Sequence, residues 1–246
     1  MGTPLDNPVW YALTGLHARF AVGRGQARHY LREMAPFSAI ADASPAAYAD
    51  LAVGLPPQTE ARLFRPADEP APPDWETVSA RPIVQMIYDG RDLPPPNDLD
   101  KKITPLGPTD VPELLALVDV AKPGPFGSRT VELGTYVGVR HARTGQLIAM
   151  GGERFRIDGH VELSAIAVHP DARGSGLGKA ITNHLARSAI TRNEAPFLHV
   201  FPDNPALGLY TRLGFRERAR LWVLWHRPVA SLSPIGRIGR TQEGLE

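Results

Sequence analysis

The segment VHPDARGSGLGKAITNHL, Val168 to Leu185, carries three glycines in alternation (Gly174, Gly176, Gly178), with Arg173 before them and Lys179 after them. Glycines between cations, where an apolar run ends at His169-Pro170, suit a phosphate-binding turn, because backbone without Cβ atoms can approach an oxyanion closely. Three templates compete for this turn. A Walker loop needs glycine at position 173 and Ser or Thr at 180, where the chain has Arg173 and Ala180. The dinucleotide fingerprint, begun at Gly174, needs glycine at 179 and finds Lys179; Glu194, about twenty residues on, precedes the next strand instead of ending it. The third form, R-G-x-G-x-G, fits Arg173, Gly174, Ser175, Gly176, Leu177 and Gly178 throughout. At a strand-to-helix turn of this kind the first helical amides have no partner within the helix, and the macrodipole adds partial positive charge to them.

Such amides are useful only if the helix is held still. Val161–Val168 reads as the strand before the turn and Gly176–Thr191 as the helix after it, with Leu177, Ile181, Leu185 and Ser188/Ala189 on one face to anchor it against a sheet. Upstream, Ile103–Leu106, Gly134–Arg140 and Gln146–Arg156 read as strands, and Asp158-Gly159 as a hairpin turn. A helix through ELLALVDV starts near Asp110, with Pro112 in its first turn and Glu113 placed as in a capping box. Downstream, Pro196–Phe201 is a strand, a helix around Pro205–Leu213 ends at Gly214, and Phe215–Arg220 and Leu221–His226 are strands.

The first half is less orderly. It offers short strands at His17–Ala21, Arg62–Arg65 and Ile83–Tyr88, helices around Arg28–Glu33 and Pro45–Ala52, and a proline-rich loop Pro66–Glu76. GRGQAR (Gly23–Arg28) reads as a surface turn. DGRDLPPPNDLDKK, Asp89 to Lys102, combines a triple proline with charges and reads as an extended, solvated connector between two halves.

Two blocks resemble one known family. ELSAIAVHPDARGSGLGKAI and, about thirty residues on, NPALGLYTRLGF (Asn204–Phe215) resemble the central strand, pyrophosphate loop and second block of the GNAT superfamily of acyl-CoA-dependent N-acetyltransferases. The resemblance covers roughly Ile103–Arg227. It implies an α/β fold with a mixed, mostly antiparallel central sheet flanked by helices. It also implies a catalytic domain over 96–230 and a degenerate GNAT-like half over 1–95; the tail over 231–246, polar, glycine-containing and without period, reads as mobile. It implies acetyl-CoA as co-substrate and the primary amine of a small molecule or peptide as acceptor, attacking directly in a ternary complex. Backbone groups of Ile166, Ala167 and Val168 would meet the pantetheine, and the Gly174–Gly178 turn the pyrophosphate. Tyr210 would protonate the departing thiolate; a phenol with pKa near 10 stays protonated at neutral pH. The family places Asn seven residues before this Tyr; here Asn204 stands six before Tyr210 and Asp203 seven, so either residue can face the pantetheine.

The residues themselves add alternatives. Period two along Val161–Val168 puts Glu162 and Ser164 on one face, and a carboxylate on an interior strand is costly unless paired or used. Glu162 is the leading candidate to relay the amine proton through water; the other reading is an ion pair with Arg154 or Arg156, and Glu153 is a weaker substitute. Arg173 and Lys179 can meet CoA phosphates, or Lys179 can be a solvated cation. Tyr210 taken alone can be a core aromatic.

His169 reads as a structural hydrogen-bonder in its turn. The spacing of His160, His184, His199 and His226 predicts no metal. With no cysteine, disulfides, thiolate catalysis and cysteine-ligated zinc are excluded. A net charge of +1 gives no electrostatic footprint for nucleic acid or an anionic membrane, and the absence of a long apolar run predicts a cytoplasmic protein, monomer or homodimer. No acidic cluster recommends a polycationic acceptor. A non-catalytic CoA-binding module and, more weakly, a nucleotide-binding protein are the competing functions.

Overall fold

The computed structural model describes residues 2–56, 58–90 and 93–229; the expected tail, 231–246, lies outside them. Along the chain come α1 (Pro8–Thr14), β1 (Ala21–Val22), β2 (Ala27–Tyr30), β3 (Ser38–Ile40), α2 (Pro45–Gly54), β4 (Ala61–Arg65) and β5 (Trp75–Tyr88). They are followed by β6 (Ile103–Leu106), α3 (Val111–Ala121), β7 (Tyr136–Arg140), β8 (Leu147–Ile157) and β9 (His160–Val168). The last elements are α4 (Leu177–Thr191), β10 (Ala195–Val200), α5 (Leu207–Arg212) and β11 (Phe215–Pro228).

Eight strands form one sheet in the order β4-β11-β5-β10-β9-β8-β7-β6. Every neighbouring pair is antiparallel except β9 and β10. Successive residues of a strand point to opposite faces, and this assigns the helices: Ala149 packs with the α4 residues Ile181 and Leu185, whereas Met150 packs with the α3 residues Leu114 and Leu117. The two helices therefore cover opposite faces of the same strands, giving the mixed, mostly antiparallel sheet flanked by helices.

The halves are not two sheets. The 14-residue β5 lies between β10 and β11, and β4 closes the far edge of β11, so strands from before residue 95 complete the sheet built by the strands after it. Only β1, β2 and β3 form a separate small sheet. The connector also differs from a solvated spacer: Leu93 and Leu99 pack against the α4 cluster, and Asn183 Nδ2 donates to the Pro94 carbonyl at 3.0 Å.

Local readings gave way where side chains found distant partners. Arg28–Glu33, expected as a helix, begins inside β2, and His17–Ala21, expected as a strand, is mostly a 3-10 turn in which buried His17 meets Tyr30 Oη at 2.9 Å. At α3 the capping box is not formed around the helix N-terminus. Asp110 accepts from Gly107 N and from Arg140, which also holds Glu113.

Candidate active site

The ladder between the parallel strands β9 and β10 runs from Ala195/His160 to Phe197/Glu162 and ends there. The cause is visible on β9's other edge, where Met150 faces Ala167 but Gly152 faces Ser164. One residue of β8 thus opposes two of β9, a β-bulge, and Ala165 within it holds φ at +54°. A non-glycine residue in the left-handed region is strained, and a bulge bends its strand. The bend turns β9 away from β10 and opens a cavity of about 410 Å³. Its walls include Leu163–Val168 on β9 and Leu198–Phe201 on and after β10.

Three parts of the chain converge there. Ile166, Ala167 and Val168 line the cavity from the strand, Arg173 from the turn, and Asn204 and Tyr210 from the approach to α5 and its interior. The remaining turn residues, Gly174, Ser175, Gly176, Leu177, Gly178 and Lys179, adjoin Arg173 without forming the wall. Gly174 and Gly176 have φ of +77° and +83°, conformations in which a side chain is strained, and Gly176 is the residue from which α4 springs. Ala180 N donates to Gly176 O, so the amides of Leu177, Gly178 and Lys179 have no backbone acceptor among the described residues. Buried Leu177, Ile181, Leu185 and Ala189 fix this end of the helix. Ser175 Oγ is used inside the turn, donating to Ala172 O, and Lys179 is exposed. His169 Nδ1 accepts from Asp171 N, a structural role.

The FR47-like protein family matches residues 136–223. Among solved structures, a protein from Novosphingobium aromaticivorans described as an acetyltransferase of the GNAT family superposes with a TM-score of 0.82 at 35% identity, over 92% of this chain and 99% of that one. The chain belongs to the GNAT family. A GCN5-related N-acetyltransferase from Kribbella flavida, 17% identical over 90% of this chain and 95% of that one, shares the fold with a TM-score of 0.58. No curated protein matches. The GNAT relatives support a transferase.

Within this GNAT chain, Glu162 is held by its neighbours. It is fully buried, and Arg154 grips both its oxygens, Nε to Oε2 at 2.8 Å and Nη2 to Oε1 at 2.7 Å. His199 Nδ1 donates to Oε1 at 2.7 Å. Burial alone raises a carboxyl pKa, but Arg154 and His199 outweigh it and hold the group down to about 2. Glu162 thus forms the ion pair with Arg154 that was its other reading, and it is not among the residues lining the cavity. Glu153, the substitute, is also taken: buried, it accepts from Arg192 and from Thr135 N.

The network continues through His199. Gln85 Nε2 donates to His199 Nε2 at 3.0 Å and to Leu5 O at 2.9 Å, while its Oε1 accepts from Arg218. His199 therefore donates at Nδ1 and accepts at Nε2, the neutral tautomer, and burial moves its pKa down in keeping with that. Tyr210 belongs to both the core and the cavity wall. It packs in the core with Leu213 and Phe215, and it lines the cavity at 9% exposure. Burial pushes its phenol up to about 12, so the hydroxyl keeps its proton through neutral pH. Asn204, not Asp203, lines the cavity; its Oδ1 accepts from Ala206 N at 2.9 Å, which starts the turn into α5.

Sequence reasoning missed the first half's share of the site: Phe37, Arg62, Phe64, Arg81 and Ile83 form cavity wall, as do Arg154 and His199. The signal in β10 was legible. Phe197, His199 and Phe201 alternate with Leu198 and Val200, a polar residue in an otherwise apolar interior strand. Among the described residues no group of three or more His, Cys, Asp or Glu could hold a metal ion, and no helix is long and apolar enough to cross a membrane.

Proposed function

We propose that the chain transfers an acetyl group from acetyl-CoA to a primary amine by direct attack while both are bound. The observation that carries this reading is the meeting, in one cavity, of the splayed β9, the turn beginning at Arg173, and Tyr210. The residues suit the co-substrate: the free amides of Leu177, Gly178 and Lys179 and the Arg173 guanidinium fit a pyrophosphate, and the β10-facing backbone of β9 beyond Glu162 fits a pantetheine arm.

The neutral amine adds to the thioester carbonyl carbon. The new C–N bond replaces the C–S bond, the amine gives up a proton to water, and the sulfur leaves as a thiolate that must be protonated. Tyr210, protonated at neutral pH, supplies that proton from the cavity wall. The amide product and free CoA thiol account for all atoms. Residues 1–95 act in this reading as the part that completes the acceptor side.

Thiol release from acetyl-CoA in the presence of a panel of amines tests the proposal. Amine-dependent release is expected. Tight CoA binding without release from any amine would make the chain a CoA-binding module, and stabilisation by ATP but not by CoA would reject both readings.

A further inference from the structure

The far wall of the cavity is one face of three adjacent strands. Arg62 and Phe64 from β4, Val223 and Trp225 from β11, and Arg81 and Ile83 from β5 all line it. Arg62 stands opposite Trp225 and Arg81 opposite Val223, so the two arginines flank β11 diagonally. Each guanidinium lies over an aromatic ring, Arg62 at 4.1 Å from the Trp225 centroid and Arg81 at 4.2 Å from that of Phe201. Such stacking holds the planar fork in place and leaves its N–H edges to donate.

Neither fork is bonded to an acid: among the described residues neither Arg62 nor Arg81 has a hydrogen bond or ion pair with an acid, and no Asp or Glu lines the cavity. Glu60 acts on Arg62 through its field only and is not part of the wall. Arg62 is part-buried and Arg81 exposed, whereas Arg154, the buried cation of the wall, is neutralised by Glu162. Lys122 has Asp119 at 3.7 Å, and Arg173 belongs to the glycine turn on the co-substrate side. Two unpaired guanidiniums on an aromatic wall disfavour a second positive charge on an acceptor and favour a carboxylate, which a guanidinium can grip with two parallel hydrogen bonds.

We propose that the acceptor is an α-amino acid with an apolar side chain, its carboxylate held by Arg62 and Arg81 and its side chain packed among Phe37, Phe64 and Trp225. The inference rests on the acetyl-transfer reading and names its acceptor class. It also gives the first half of the chain a specific task, since four of these five residues precede residue 95.

The test compares three matched sets: L-leucine, L-phenylalanine and L-tryptophan, each with its amide and its decarboxylated amine. Amide acceptors lose the ammonium proton more readily than the free acids, so intrinsic reactivity favours them and a preference for the acid reports recognition. The expected kcat/KM, by thiol release, is at least about tenfold higher for the acids. Arg62→Gln and Arg81→Gln should each erase about tenfold of that preference and leave acetyl-CoA affinity within about twofold. Arg81→Glu should turn the preference toward the amines.

Equal or better turnover of amides and amines by the wild type overturns the proposal. So does a carboxylate preference that survives both glutamine variants, or a loss of acetyl-CoA affinity in their place. Calorimetric binding of the same amino acids to the CoA-bound protein reads the site without turnover. Selective carboxylate binding without transfer would support the site and reject the acetyl-transfer reading alone.

Discussion

Tyr210 and Glu162 both sit at the splay, in different surroundings: one lines the cavity, the other is locked to Arg154. Tyr210→Phe keeps the ring that packs on Phe215 and removes only the hydroxyl. The expected result is a fall in kcat of about 10²-fold with acetyl-CoA affinity unchanged, read by steady-state transfer. Glu162→Gln strands the buried Arg154 charge, so a loss of about 3–5 kcal/mol in unfolding free energy is expected, measured by urea denaturation. Lost turnover at full stability would instead restore Glu162 as the base. At the turn, Gly176→Asp places a carboxylate beside the free amides in a left-handed conformation. The acetyl-CoA dissociation constant should rise at least about tenfold, about 1.4 kcal/mol, by calorimetry. The glycines and Tyr210 could be read directly because their pattern is local. The partners of Glu162 were half legible: Arg154 lies on the neighbouring strand of the same hairpin, but His199 comes from another strand and is tied to Gln85, 114 residues away.

At the scale of elements, the strands and helices after residue 103 follow the residue pattern closely, because most pair with neighbours in sequence through short turns. The first half was harder to read. Its two long-range strands, β4 and β5, are specified by partners at the other end of the chain, and no local periodicity records such a pairing. The proline-rich stretch before Trp75 hides where β5 begins, and the two strands expected to meet at Arg220/Leu221 are one, β11, which runs in register with β5 across that point. The position of β5 bears on dissection. Removing it exposes the backbone edges of β10 and β11 together, and residues 96–229 expressed alone should show no cooperative urea transition and no acetyl-CoA binding. A folded, CoA-binding fragment would mean that the later strands can close on themselves.

The molecule as a whole should weaken in mild acid. His17 is buried against Tyr30, and burial, with help from Arg19, lowers its pKa from the ordinary 6.5 to about 4. Below pH 6.5 the unfolded chain takes up a proton that the folded chain refuses until about pH 4. Its contribution is therefore present above 6.5 and falls by about 3 kcal/mol on the way down to pH 4. His199 and His226 shift in the same direction, whereas the Glu162 contribution is lost only further down, toward pH 2. Urea unfolding between pH 7 and pH 4.5 should show the decline, with a shallower slope in His17→Asn. The placement of β5 also has a consequence in time. It leaves the ribosome long before β10 and β11 exist, and Tyr48 waits 178 residues for its bond to His226. Until β10 emerges β5 has no mate in the large sheet, and β4 has none until β11 does, so completion of this sheet waits on its last strand and on closing loops of this length. Arrested nascent chains ending before Phe215 should be digested readily by protease, and protection should arrive in one step once residue 228 has cleared the tunnel.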